Sequence, residues 1–286
     1  MIVSLQAGSG SDLACRLVAE SLGRRLNTQV VVENLPGAGG VVGAAKLFNA
    51  RPDGYTLGAL NNGLVCLVPN LPGRPPFAIE DLAPVSMVAD LPSVLVITGT
   101  ATTRTLAEFV AASKVEGSKY SYGSVGMGSP QHIAMEQLKL ATGANMLHVP
   151  YRGGPQAVAD VVAGQIQATW IAIPVAAQFI KTGQLRALAV GGPARSAALP
   201  EVPTLKEAGV TTFEYVPWIG LYAPPKTPSS LASLLNTHIQ EVLSAPDTRA
   251  KLVAAGLEAR PMSPVQFEQR AVSERRAMAD VVKRIN

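Results

Sequence analysis

Hydrophobic positions along this chain fall into two patterns: short continuous runs, and stripes spaced three and four residues apart. The runs at 2–5, 29–33, 55–60, 85–89 and 94–98 have strand length, whereas Leu13, Leu17, Leu22 and Leu26 lie on one stripe of a helix over 12–26. A second helix is expected over 40–49, and the strand at 55–60 closes on Asn61-Asn62-Gly63. Four prolines between Pro69 and Pro76 mark a surface loop. From Thr105 the alternation resumes, with strands over 120–123, 146–150, 167–173 and 185–190 and helices over 129–141, 155–163 and 175–182. Thr105 and Glu108 fit a capping box. Pro130 and Pro155 each stand at a first helical position, where a missing N–H costs nothing. A strand at 218–223 leads into Pro224-Pro225-Lys226-Thr227-Pro228 and a helical tail over 229–244, 246–255 and 264–285.

Such alternation predicts parallel-rich α/β sheets. At 286 residues the chain is about twice the length of a typical domain, so two lobes are expected. The crossings are placed near 98–101 and 222–225, making residues 1–99 and 224–286 a discontinuous first lobe and 100–223 the second.

Composition narrows the function classes. The chain is 48% hydrophobic and 15% charged, enough apolar material for a core of useful size. A net charge of +4 with scattered basic residues and only 5% aromatics does not describe a nucleic-acid-binding face. The apolar stretch 168–180 is interrupted by Thr169, Pro174 and Gln178 and is too short to span a bilayer, so no direct membrane insertion is expected. The chain opens inside a strand-like run at Met1-Ile2-Val3-Ser4-Leu5, which suggests an upstream segment removed from it. Two cysteines, Cys15 and Cys66, fit either one disulfide in an oxidising compartment or two buried thiols.

The candidate chemistry lies in glycine-rich loops. Gly8-Ser9-Gly10-Ser11-Asp12 stands between a strand and a helix, where unpaired backbone N–H groups and the positive helix end favour an anion and the two serines add hydroxyl donors. Asp12 either caps the helix start or orients a ligand-bound water. The stretch from Tyr122 to Ser129 repeats the strand, small-residue loop and helix. Two such loops, one per lobe, would grip opposite ends of one organic anion: Ser9, Gly10, Ser11 and Asp12 on one side, Ser124, Gly128 and Ser129 on the other. Asn61 and Asn62 would close the side wall, with Tyr151 near the mouth and Pro174 at the start of a further helix.

Other chemistries fit poorly. In Pro36-Gly37-Ala38-Gly39-Gly40-Val41-Val42-Gly43 the third glycine of a dinucleotide fingerprint falls on Val42, and no Walker lysine follows either loop. Cysteines and histidines show no zinc spacing, and no Gly-x-Ser-x-Gly elbow occurs. A hydrolase reading survives only if His132 or His148 reaches Ser124. No cofactor or metal is implied.

Ala7-Gly8-Ser9-Gly10-Ser11-Asp12, the run Val30-Val31-Val32-Glu33-Asn34-Leu35-Pro36-Gly37-Ala38-Gly39-Gly40 and Pro52-Asp53-Gly54-Tyr55-Thr56-Leu57 resemble the Bug-type substrate-binding proteins of tripartite tricarboxylate transporters. The likeness continues, in order, through Ser129-Pro130-Gln131-His132, His148-Val149-Pro150-Tyr151-Arg152-Gly153-Gly154, Gly183-Gln184-Leu185-Arg186, Val202-Pro203-Thr204-Leu205 and Trp218-Ile219-Gly220-Leu221-Tyr222-Ala223-Pro224. It covers nearly the whole chain. The resemblance implies a periplasmic, type II-like two-lobed binding protein, each lobe a mixed sheet flanked by helices, with the ligand cleft between lobes. It further implies a signal peptide, small carboxylate ligands held through backbone N–H groups and waters, a monomer, and delivery to the membrane components of the transporter. A binding protein acting on a sensor partner is the alternative. Two departures stand out. An acidic residue is missing between Ile173 and Lys181, which removes a partner for a ligand ammonium, and Ser9 and Ser11 replace the family's more usual glycine and threonine or proline.

Overall fold

The computed structural model describes every residue except Pro72, Arg74 and Asn286, and the side chains of Arg284 and Ile285 are likewise left undescribed. The expected surface loop 69–76 thus lies partly outside the described residues. The chain divides into two compact units, Met1–Leu91 with Pro217–Asn286, and Pro92–Val216.

In chain order the elements are β1 (Ile2–Val3), α1 (Gly10–Leu26), β2 (Glu33–Asn34), α2 (Val41–Phe48), β3 (Gly58–Asn61), β4 (Ala83–Asp90), β5 (Ser93–Thr98), α3 (Leu106–Ser113), β6 (Ser121–Ser124), α4 (Pro130–Thr142), β7 (Leu147–Pro150) and α5 (Gly154–Val162). They continue with β8 (Ala168–Ala172), α6 (Ile173–Lys181), β9 (Leu185–Val190), β10 (Trp218–Ala223), α7 (Ser229–Ser244), α8 (Pro246–Ala254), β11 (Glu258–Ala259) and α9 (Pro264–Ile285).

The first unit is built on a six-stranded sheet in the order β11-β4-β10-β3-β1-β2. β1 runs parallel to β2 and β3, whereas β10 is antiparallel to β3 and β4. Strand alternation sorts its side chains onto two faces. Val3, Ala59, Val88, Ile219 and Leu221 pack with α1, α7 and α8, and Ile2, Leu60, Met87, Trp218 and Tyr222 pack with α2 and α9. Gly220 fits the second face because a Cβ there would collide with the Phe267 ring.

The second unit carries a five-stranded sheet in the order β7-β6-β8-β5-β9. β6 is parallel to β7 and β8, and β5 is antiparallel to β8 and β9. Helices α3 and α4 cover the face of Leu95, Ile97 and Trp170, and α5 and α6 the face of Val94, Val96 and Ile171. The Thr105 capping box that opens α3 is fully formed, with Thr105 accepting from the Glu108 N–H and Glu108 reaching back to the Thr105 backbone.

Three expectations are corrected. The crossings fall at Leu91/Pro92 and Val216/Pro217, not at 98–101 and 222–225. The cause is pairing: β5 joins β8 and β9, and β10 inserts between β3 and β4, choices that no local signal in either strand encodes. The sheets are mixed rather than dominated by parallel pairs, because these same two strands run against their neighbours. The segment after Asn62, read only as the close of a strand, forms a π-helical turn over Gly63–Leu67.

Candidate functional site

In the first unit the parallel strands β1, β2 and β3 end on one edge, and the loops leaving them carry the candidate residues. Ser9 is the N-cap of α1, its Oγ accepting the Asp12 N–H at 3.2 Å. Gly8 adopts φ +80°, a left-handed turn that glycine enters without strain. Gly10 and Ser11 are the first two helical residues, so their N–H groups have no intrahelical acceptor, and no loop bond takes them.

Asp12 is tied into its own loop. It is 3% exposed, and its carboxylate accepts from the Gly8 N–H at 2.9 Å, Asn34 Nδ2 at 2.8 Å and Arg16 Nε at 3.0 Å. Burial pushes this carboxyl up, but the hydrogen bonds from Arg16, Gly8 and Asn34 together with the Arg16 charge outweigh it and hold the group below its usual value. These bonds brace the loop that opens α1.

Asn61 ends β3 with its Oδ1 accepting the Leu64 N–H at 2.9 Å, while its Nδ2 is buried with no partner. Asn62 donates through Nδ2 to Glu274 Oε1 of α9 at 2.7 Å and leaves Oδ1 buried and unpaired. The sequence offered no route to Glu274, which lies 212 residues away. The loop after β2 was read as a failed nucleotide motif. Its residues Gly37, Ala38, Gly39 and Gly40 all have positive φ, including a non-glycine at +47°, and it delivers the N-terminus of α2 to the same edge.

In the second unit the parallel strands β6 and β8 end side by side, opening α4 and α6. Ser129 is the N-cap of α4, its Oγ accepting the His132 N–H at 3.3 Å. Gly128 turns the loop at φ +77° and donates to His132 Nδ1 at 3.3 Å. Pro174 is the second residue of α6, a helix whose N-cap, Ala172, offers no side-chain acceptor. Tyr151 is placed differently from Ser124: its ring packs beside Gly123, on the α5 face, and its hydroxyl donates to Asp160 Oδ2 at 2.6 Å. Burial and that bond push the phenol up to about 12. Its hydroxyl is committed to α5.

Ser124 does meet a histidine, with Oγ 2.6 Å from His148 Nε2. Yet the serine is 1% exposed, and its hydroxyl is also held by the Gly126 carbonyl at 3.0 Å and the Gly126 N–H at 3.1 Å. Burial, followed by the neighbouring His132, pushes His148 down to about 4, and no carboxylate ion-pairs with its ring among the described residues. The contact therefore pins the loop start, as His132 pins its end. No group of three or more His, Cys, Asp or Glu side chains among the described residues is arranged to hold a metal ion. No helix among them is long and apolar enough to cross a membrane.

Cys15 and Cys66 are both free and buried. They lie in the two core clusters on opposite faces of one sheet, Cys15 with α1 and Cys66 with α9, so the sheet stands between them. Burial pushes the Cys15 thiol up to about 12 and Cys66 well above its ordinary value.

The model of the tripartite tricarboxylate transporter family receptor matches residues 14–286. This chain belongs to that receptor family. Protein BugT of Bordetella pertussis is 35% identical over 93% of this chain and 80% of its own length. A solved periplasmic transporter is similar over 100% of this chain and 96% of its own, with a TM-score of 0.93 and 33% identity. MatC from Rhodopseudomonas palustris, solved with bound malate, is 26% identical with a TM-score of 0.91, covering 98% of this chain and 97% of its own. Rpa4515 of R. palustris, solved with adipate, is 27% identical with a TM-score of 0.92, covering 99% and 95%. The receptor family consists of periplasmic solute-binding proteins rather than enzymes, and its fold is the two-lobed binding-protein fold, each lobe a mixed sheet flanked by helices.

Proposed function

We propose that this receptor captures a small organic carboxylate in the periplasm and delivers it, as a monomer, to the membrane components of a tripartite tricarboxylate transporter. The observation that carries the reading is the set of donors left without acceptors on one sheet edge of the first unit: the N–H groups of Gly10 and Ser11, and the buried Nδ2 of Asn61. Donors at a helix N-terminus suit a carboxylate, whose oxygens only accept. Ser9 and Ser129 each accept a backbone N–H and so keep a hydroxyl proton free to donate. In this reading the Ser9–Ser11 loop of the first unit takes a carboxylate of the ligand, and the Gly128–Ser129 turn of the second unit offers donors of the same kind. Asp12 and Ser124 hold these loops in shape. The malate and adipate bound by relatives of the same family support the ligand class.

A thermal-shift and calorimetric screen of mono-, di- and tricarboxylates tests it. At a hundredfold excess over Kd a true ligand stabilises by about 2.7 kcal/mol. A screen in which no carboxylate shifts melting, while uncharged solutes do, would end the proposal. Transport is tested separately, by uptake of the labelled ligand in cells lacking and regaining this chain.

A further inference from the structure

In the second unit His132 of α4 and His148 of β7 lie against each other, with ring centroids 4.4 Å apart, and both rings stack on Tyr122 of β6, at 6.4 and 5.1 Å. Each holds one end of the loop between β6 and α4. His148 Nε2 lies 2.6 Å from Ser124 Oγ, and His132 Nδ1 accepts the Gly128 N–H at 3.3 Å. A backbone N–H can only donate, so His132 Nδ1 carries no proton and this ring is neutral. The charged groups that reach the pair are Glu136 and Lys139 of α4, and these are already joined at 2.8 Å. Glu136 Oε1 also accepts the Tyr122 hydroxyl at 2.6 Å, a bond that together with burial pushes the phenol up and keeps it neutral. β6 adds no titratable group besides Tyr122, and β7 none besides His148.

We propose that this pair makes carboxylate capture proton-linked: the receptor takes up one proton on His132 together with its ligand, and the protonated ring releases the Gly128 N–H to a ligand oxygen. This rests on the carboxylate reading above and deepens it, for an anion held at the Gly128–Ser129 turn. The reason is charge. Lys139 compensates Glu136, so the pair has no uncommitted anion beside it, and burial lowers both imidazoles, His148 to about 4. A carboxylate that shares the Gly128 donor supplies the missing negative charge and favours the imidazolium. Once protonated, Nδ1 donates instead of accepting, and the Gly128 N–H needs a new acceptor. The proton goes to His132 because its second influence after burial is Glu136, which raises it, whereas that on His148 is His132, which lowers it. A second proton is excluded, since two imidazolium rings 4.4 Å apart repel. By linkage the affinity rises as pH falls, by up to about tenfold per pH unit between the bound and free values of His132.

Calorimetry on the purified chain tests this with succinate, adipate, malate and citrate at pH 6.5, each titrated in buffers of different ionisation enthalpy. The slope of binding enthalpy against buffer enthalpy counts protons. We expect uptake of a substantial fraction of one proton with at least one of these probes, and NMR titration of the imidazole Cε1–H signals should show His132 raised by about one pH unit or more at saturation. His132→Asn keeps an acceptor near the Nδ1 position but cannot take the proton, so its uptake should vanish and its affinity should stay flat with pH. His148→Gln should retain the uptake.

Three results would overturn the proton linkage while the carboxylate reading stands. The probes could bind without proton uptake, the uptake could survive in His132→Asn, or the His132 signal could titrate alike with and without ligand, a measurement that needs no variant. Binding of none of the probes, with uncharged solutes bound, would remove both readings.

Discussion

Replacing Asp12 by alanine separates a brace from a ligand contact. The carboxylate accepts two part-buried hydrogen bonds, from the Gly8 N–H and Asn34 Nδ2, and one from Arg16, whose side chain is half exposed. A bond to a charged acceptor contributes about 1.5–3 kcal/mol when buried and about 1 kcal/mol for each of these part-buried ones, whereas the exposed Arg16 pair adds at most about 1 kcal/mol. The negative charge in the first turn of α1 adds about 0.3–1 kcal/mol. Asn34 keeps a second acceptor in the Leu5 carbonyl, which softens the loss. We expect Asp12→Ala to destabilise by about 2–4 kcal/mol, a fall of roughly 5–15 °C in melting temperature for a unit of this size.

Asp12→Asn keeps the shape and one acceptor oxygen and should fall between the two. Because the folded carboxyl sits below its ordinary value of 3.8, its stabilisation is complete above that value and disappears as pH falls through the folded one. The gap between parent and Asp12→Asn should therefore narrow in acid. Melting followed by circular dichroism, with calorimetry at a temperature where all variants are folded, reads both quantities. An Asp12→Ala variant that melts within a degree of the parent but no longer binds carboxylates would refute the reasoning and make Asp12 a ligand contact.

Four further outcomes are expected. Gly128→Val and Gly10→Val should abolish carboxylate binding, and the former should also destabilise by about 1–2 kcal/mol because valine resists φ +77°; normal binding by both in calorimetry would remove these loops from the site. Tyr151→Phe should cost about 1 kcal/mol through the lost Asp160 bond and leave affinity unchanged, as melting and titration would show. Thiol counting on unfolded, unreduced protein should find both Cys15 and Cys66 free, and a bridge would contradict their placement on opposite sheet faces. Burial raises Glu274 above its ordinary 4.5 against the bonds from Trp218 and Asn62. Its contribution to stability is therefore full below that value and lost as pH rises through the folded one, and Glu274→Gln should flatten this part of the pH–stability profile measured by denaturant unfolding.

Much of this protein is local and readable along the chain. Leu13, Leu17, Leu22 and Leu26 mark α1, Thr105 and Glu108 mark the start of α3, and the glycine–serine turns at 8–12 and 122–129 mark the two loops that open α1 and α4. Each signal acts within a turn or two of helix, where periodicity and capping fix the backbone. What the tertiary structure alone decided depends on pairing between distant segments. β5 and β10 carry strand patterns that suit either sheet, so only the completed hydrogen-bond ladders assign them and move the crossings to Leu91/Pro92 and Val216/Pro217. Side-chain commitments follow the same rule. Asp12, Asn62 and Ser124 look alike in sequence as polar residues in strand-to-helix connections, yet Asn34, Glu274 and His148 determine which polar atoms are consumed and which remain unpaired. A buried polar atom is defined by its partner, and these partners stand 22, 212 and 24 residues away, beyond the reach of any local pattern.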